Sequence, residues 1–373
     1  MPEKKTGSKR IAVIGPVYPF KGGISHYTGL LVRSLKERAS VRTVSYKMQY
    51  PKILFKKEQR DYSNDRFKIE DAVFLLNTAN PFNIIRTALI INKEKPDLTI
   101  IQWWHPYFAP CYRILSSFLK SPVLFICHNV FPHERFIMDR FLTKLTLKKG
   151  DFFILHSEKE VSELQSILDA PKYRVNMHPT YSAFKTGELG EKKDTKKHLL
   201  FFGLVRPYKG LKLLLKALME LPDVYLTVAG DFGGTKGEYE ELLRSPELMN
   251  RVNVIDSYIP DNDIQGYFEN CDAVVLPYID ATQSGIAQMA FGFEKPVIAT
   301  KVGGLPEVVT DGVTGILTEA GSEDALKEGI ERFYKLKEEG TDFRQNIRSD
   351  AERFSWEHLC ETVFELTGLK GNS

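Results

Sequence analysis

The sequence predicts an α/β protein of two domains, each built on a parallel sheet. Short apolar runs without polar alternation recur at 11–14, 41–44, 98–102, 123–127 and 152–155, then at 199–202, 224–229, 252–255, 273–276 and 297–299. Runs of that kind belong to strands buried on both faces. The intervals between them leave room for a helix, and strand-helix alternation implies parallel order because each parallel pair needs a crossover. Residues 183–198 (AFKTGELGEKKDTKKH) lose apolar periodicity and turn charged and glycine-containing, as an interdomain linker does. The expected division is a first domain at 1–182, the linker at 183–198, a second domain at 199–354, and a C-terminal helix at 355–373 with the first domain as its packing partner. Open parallel sheets bind ligands outside the carboxyl ends of their strands, so the active site is expected between the halves.

A chain of 373 residues is long enough for two cores. Apolar residues at 43% and charged residues at 27% are ordinary for a globular protein and exclude disorder or a fibrous repeat. No uninterrupted apolar run reaches the about 18 residues of a membrane span, and the run at 11–14 is too short for a secretory core, so a cytoplasmic protein is expected. Cys111, Cys127, Cys271 and Cys360 are widely spaced with no C-x-x-C pair, which predicts buried thiols rather than disulfides or a zinc ribbon.

The net charge of +3 conceals an asymmetry. Residues 1–180 carry 29 Lys/Arg against 16 Asp/Glu, a balance of +13, and the remainder carries 22 against 32, a balance of −10. Lys47, Lys52, Lys56, Lys57, Arg60, Arg66 and Lys68 surround Tyr50, Ile53, Leu54 and Phe55. Such a segment suits an anionic membrane surface or a phosphorylated acceptor, and equally a solvated face. No basic stripe with interleaved aromatics reaches the expected cleft, which argues against nucleic acid.

Three clusters carry candidate chemistry. After the first strand, Gly22 and Gly23 precede a helical stripe of Ile24, Tyr27, Leu31 and Leu35, so backbone amides and the helix dipole there favour phosphate. In the second half, Gly203, Arg206, Lys209 and Gly210 lie between a strand and a helix, placing two cations where a leaving diphosphate would be neutralised. Further on, Thr282, Gln283, Ser284, Gly285 and Ile286 follow the strand at 273–276, with Ser284 or Gln283 as the cap of a helix whose first amides form a second phosphate cradle. Gly303, Gly304 and Pro306 read as a structural turn. Asp261 and Asp263 resemble a metal-binding D-x-D but precede an apolar helical pattern, so they are expected to cap that helix; no metal is expected anywhere in the chain.

Over essentially its whole length the chain resembles glycosyltransferase family 4, whose members have the GT-B fold of two Rossmann-like domains. Gly203, Lys209 and Gly210 match the family's first donor motif, residues 296–307 match its Pro-Val-Ile-Ala with downstream Gly-Gly and Pro-Glu, and Gly22 with Gly23 matches its N-terminal loop. His128, after the run at 123–127, matches its active-site histidine. The resemblance implies a metal-independent, retaining transfer of sugar from a UDP- or GDP-linked donor, without other cofactor, to a glycan or lipid-linked acceptor. His128, Arg206 and Lys209 take the catalytic roles. The donor would rest on Gly22, Gly23, Gly203, Tyr258, Ile259, Asp280, Thr282, Gln283, Ser284, Gly285 and Ile286, and the acceptor near His105, His133 and Glu134.

Three positions depart from the family. Leu204 stands where its arginine is usual, which passes the phosphate role to Arg206, and Ile279 and Ala287 stand where its two glutamates are usual, which leaves Asp280 as a substitute for the first. A nucleotide-sugar epimerase, a glycogen-type phosphorylase and a non-catalytic nucleotide-sugar binding subunit share the architecture and remain alternatives.

Overall fold

The computed structural model describes residues 9–54, 58–62, 65–132, 135–190, 192 and 195–369. The chain divides into two compact units, 1–177 with 356–373, and 178–355. In chain order the first unit holds β1 (Arg10–Ile14), α1 (Gly23–Arg38), β2 (Ser40–Met48), β3 (Val73–Asn77), α2 (Pro81–Lys93), β4 (Leu98–Trp103), α3 (Ala109–Phe118), β5 (Val123–Cys127), α4 (Asp139–Leu147), β6 (Phe152–Leu155), α5 (Glu158–Gln165) and β7 (Tyr173–Val175). The second holds β8 (Lys197–Phe202), α6 (Leu211–Met219), β9 (Val224–Ala229), α7 (Glu240–Leu243), β10 (Val252–Ile255), α8 (Ile264–Glu269), β11 (Ala273–Leu276), α9 (Gly285–Gly292), β12 (Val297–Thr300), α10 (Leu305–Val308), β13 (Gly315–Thr318), α11 (Glu323–Glu338) and α12 (Phe343–Ser349). The last helix, α13 (Trp356–Thr367), belongs to the first unit.

Every paired strand runs parallel. The first sheet has the order β3-β2-β1-β4-β5-β6-β7 and the second β10-β9-β8-β11-β12-β13. Each therefore reverses direction once, between β1 and β4 and between β8 and β11, and the carboxyl ends beside such a reversal form a ligand crevice. Alternate residues feed opposite faces of the first sheet. Ala12, Ile14, Phe125 and Cys127 join a core with Ile84, Ala88 and Tyr112 of α2 and α3. Ile11, Val13, Leu124 and Ile126 join one with Tyr27, Leu31 and Leu35 of α1 and Leu359, Cys360 and Val363 of α13. In the second unit α6 and α11 cover one face through Leu214, Leu218, Leu326, Ile330 and Phe333. All four cysteines are buried and free.

β3, β7 and β13 were not among the expected strands, and all three are edge strands. β3 and β7 are only partly buried; β7 is three residues with a central arginine, whereas β3 does carry a short apolar run at 73–76. The change of unit falls at Met177 and His178 rather than at 183–198. Phe184 is buried, Thr186 donates from its amide and hydroxyl to Gln265 at 2.6 and 2.8 Å, Gly190 donates to Glu269 at 2.9 Å, and Lys192 pairs with Asp272 at 2.8 Å. Polar anchors hold this segment on the second unit, which is why it shows no apolar period. Asp263 occupies the N-cap position of α8 but makes no side-chain capping bond; its amide donates to Pro260 instead. Among the described residues no helix is long and apolar enough to cross a membrane.

Glu294, between α9 and β12, collects Lys185 at 3.0 Å, Arg344 at 2.7 Å and Arg348 at 2.8 Å. Burial alone would raise its carboxyl, but these three cations outweigh it and hold it at about 2, below the ordinary 4.5. The folded value lies under the unfolded one, so the stabilisation is complete above pH 4.5 and is lost as pH falls toward 2. Glu294→Gln should lower stability by about 1–2 kcal/mol at neutral pH and flatten its acid dependence, which thermal melts across that range will measure.

Candidate functional site

In the second unit the loops after β8 and β11 flank the reversal of strand order, and the structure brings the expected cations and glycines to that point. A Cβ on Gly203 would lie 3.2 Å from Ile286 Cδ1 and 3.7 Å from Lys209 Nζ, so Gly203, Lys209 and the amino end of α9 are mutual neighbours. Lys209 Nζ lies 5.7 Å over the Tyr278 ring, and the Tyr278 hydroxyl is 3.4 Å from Ser284 Oγ. Ser284 caps α9, accepting from the Ala287 amide at 3.3 Å, which leaves the preceding amides of Gly285 and Ile286 at the helix mouth. The two loops are tied by the Ile279 amide, which donates to Tyr208 at 2.7 Å.

Glycine is required at the base of this arrangement for space. A Cβ on Gly210 would stand 1.9 Å from the Pro277 carbonyl oxygen, and one on Gly230 1.9 Å from that of Gly203. Gly210 also has φ 69, the left-handed region that side chains disfavour. Loss of hydration, with Arg206 alongside, pushes the Lys209 ammonium down to about 8. Arg206 donates to Val205 at 3.2 Å, and its guanidinium lies over the turn at Gly233, so it reaches the site from the β9 side.

The other expected donor residues spread outward. Thr282 and Ser284 are buried, Gln283 and Gly285 partly so, and Asp280 is exposed beside them. Tyr258 and Ile259 follow β10, two strands out from β8; Ile259 is buried, and Tyr258 turns its hydroxyl toward Asp261 at 3.5 Å. Of the positions where the family has glutamates, Ile279 is exposed and Ala287 buried.

In the first unit, Gly22 and Gly23 open α1 after β1, and His105 follows β4, on either side of that sheet's reversal. His128 follows β5 and is only 2% exposed. Its Nε2 lies 2.7 Å from Gln102 Oε1, and its ring meets Tyr27 edge-on at 4.5 Å. His128 is thus held in one orientation by Gln102, a residue absent from the expected site; its signal was a lone amide at the end of an apolar strand. Tyr278, the aromatic floor of Lys209, is a second such residue. His105 Nδ1 accepts from the Tyr107 amide at 3.0 Å, burial lowers its pKa, and its ring stacks on Phe136 at 6.2 Å. It caps a turn of 3-10 helix as well as standing at the strand end. His133 and Glu134 lie outside the described residues. Among the described residues no three His, Cys, Asp or Glu side chains gather as metal ligands would.

The parallel sheets and the loops at their reversals define a protein of two Rossmann-like units, the fold of GT-B glycosyltransferases. It is similar over 97% of its length to a glycosyltransferase from Rickettsia africae (TM-score 0.74, 20% identity, 98% of that chain) and over 96% to HepE of Anabaena in complex with UDP-glucose (TM-score 0.74, 18% identity, 99% of that chain). Residues 188–350, which lie in the second unit, match the model of the family Glycosyl transferases group 1. Among curated relatives, a D-inositol 3-phosphate glycosyltransferase of Mycolicibacterium gilvum is 27% identical over 233 residues, 59% of this chain and 52% of its own. One of an Arthrobacter species is 30% identical over 176 residues, 45% of this chain and 41% of its own. The chain spans about half the length of the curated relatives it matches.

Two outcomes test the site. Gly210→Ala should destabilise the second unit by about 3 kcal/mol or more, because both backbone strain and a clash oppose it, read as a shift in the denaturation midpoint. The folded Lys209 titrates below its unfolded 10.5, so the unfolded state binds the extra proton between about 8 and 10.5 and stability rises with pH across that window. Lys209→Met should abolish that rise, as melts over the same window will reveal.

Proposed function

We propose that this protein is a glycosyltransferase that takes a sugar from a nucleoside diphosphate donor held by the second unit. The observation that carries the reading is the convergence of Lys209, Gly203 and the Ser284-capped amino end of α9 at the reversal of the second sheet. A diphosphate there would find an ammonium, open glycine backbone and unsatisfied amides, arranged before the substrate arrives. Lys209 and Arg206 neutralise the charge that develops as the glycosidic phosphate bond breaks, and the Gly285 and Ile286 amides receive its oxygens.

Within the first unit, His128, held by Gln102, is the candidate to orient sugar or acceptor. Transfer proceeds with retention and without metal, as in the family resembled. A UDP-linked sugar leads the choice of donor because HepE, similar in fold, is seen with UDP and UDP-glucose. The acceptor is a glycan or lipid-linked glycan, and the basic balance of the first half supports a contact with anionic membrane. Ile279 and Ala287 in place of carboxylates favour the second reading, a subunit that binds donor without turning it over.

Thermal shifts with UDP, GDP and ADP and their sugar conjugates, in chelator, should give a rise for one nucleotide series. Lys209→Ala should weaken that nucleotide by about tenfold and slow transfer by about a hundredfold or more; unchanged affinity and turnover would overturn the assignment. Donor affinity should also fall as pH rises through about 8, where the Lys209 ammonium discharges, and Lys209→Arg should remove that fall. Binding without transfer to any acceptor would select the second reading, and the anomeric configuration of the product decides retention.

A further inference from the structure

α4 of the first unit turns an apolar strip to solvent. Its inner face buries Asp139, Thr143, Thr146 and Leu147. At about 100° per residue the outer arc runs through Arg140, Lys144 and Lys148, then Phe141, Leu145 and Met138, and ends at Lys149. Phe136 and Ile137 extend the apolar part ahead of the helix; Phe141 is 59% exposed and Ile137 fully so. From 135 to 149 there are five cations, Arg135, Arg140, Lys144, Lys148 and Lys149, and one anion, Asp139. The Asp139 carboxylate is buried and bound by Arg135, so it does not offset the outer charge.

We propose that this strip is a docking surface for an anionic lipid bilayer, with α4 lying in the plane of the headgroups. Bulky apolar side chains flanked on both sides by lysines fit that boundary, the former entering the acyl edge and the latter meeting the headgroup phosphates. A second copy of the chain is a poorer occupant. A two-fold contact through the same patch would set Lys144 and Lys148 against their own counterparts. The strip begins at Phe136, whose ring stacks on His105, the residue expected to meet the acceptor.

The inference deepens the membrane contact proposed above and moves it from the segment around Lys52 and Arg66 to α4. It places a lipid-linked acceptor beside the loop that would receive it. It does not depend on how the donor is held.

Flotation of the full chain with phosphatidylcholine vesicles carrying about one-third phosphatidylglycerol tests it. The protein should float with these vesicles, stay behind with pure phosphatidylcholine, and be released by salt. Ile137→Ser with Phe141→Ser, and separately Lys144→Glu with Lys148→Glu, should each lower the bound fraction about tenfold while leaving the thermal shift with UDP unchanged. A wild-type protein that does not float, or variants that float as it does, would overturn the proposal. So would loss of a concentration-dependent dimer in the variants without any vesicle binding, which would assign the strip to a second copy. Flotation without any nucleotide shift in the wild type would remove the donor reading and leave the docking surface standing.

Discussion

Two places where backbone meets backbone too closely for any side chain govern the second unit. The carbonyl of Gly203 fills the space a Cβ on Gly230 would need, and that of Pro277 fills the space beside Gly210. These approaches bring the loops after β8, β9 and β11 together at the reversal of strand order. Lys209, adjacent to Gly210, is thereby held against Tyr278 and partly withdrawn from water. Dehydration lowers the cost of giving up its proton and strengthens its attraction for an arriving anion. Packing of small residues is thus the cause, and a cation poised for phosphate is the effect.

The first unit is organised differently, around a side chain rather than a cation. His128 is enclosed by β4, β5 and α1, with Gln102 fixing one ring nitrogen and Tyr27 covering one side. Tyr27 also meets Trp356 at 5.0 Å, at the start of α13. The C-terminal helix is therefore part of the wall around this histidine, and Thr362 and Cys360 secure it through bonds to Asn176 and Ser34 at 2.9 and 3.3 Å. Residues 356–369 complete a core begun at residue 11, which is a long loop to close but one whose entropic cost grows only slowly with length.

Much of this was legible before any coordinates. Ten strands announced themselves as short, largely apolar runs, nine of them inside a sheet and β10 at an edge, and the glycine turns at Gly22, Gly203 and Gly210 stood where strand passes to helix. A cap at Gln283 or Ser284 was legible from their place before an apolar helical stretch, and the structure gives the role to Ser284. β7 escaped because it is three residues long with a central Arg174, and β13 because its apolar pair is only two residues long, while β3 carries an apolar run at 73–76 comparable to those read as strands. The stretch 183–198 read as linker because its anchors are carboxylates, amides and ammonium groups, and a polar anchor leaves no period in a sequence. Asp263 had the composition of a cap without the geometry of one.

The sequence by itself determined the α/β class, the parallel order, the pairing of phosphate-seeking loops with strand ends, and the basic character of the first half. All of these depend on residue type and local spacing, which a linear chain carries in full. Only the tertiary structure decided that Gln102 holds His128, that Tyr278 lies beneath Lys209, and that Phe141 and Leu145 face outward among lysines. Those are contacts between residues far apart in the chain or choices of one helix face over another. They arise from how elements pack, and no local pattern specifies the partner that packing brings.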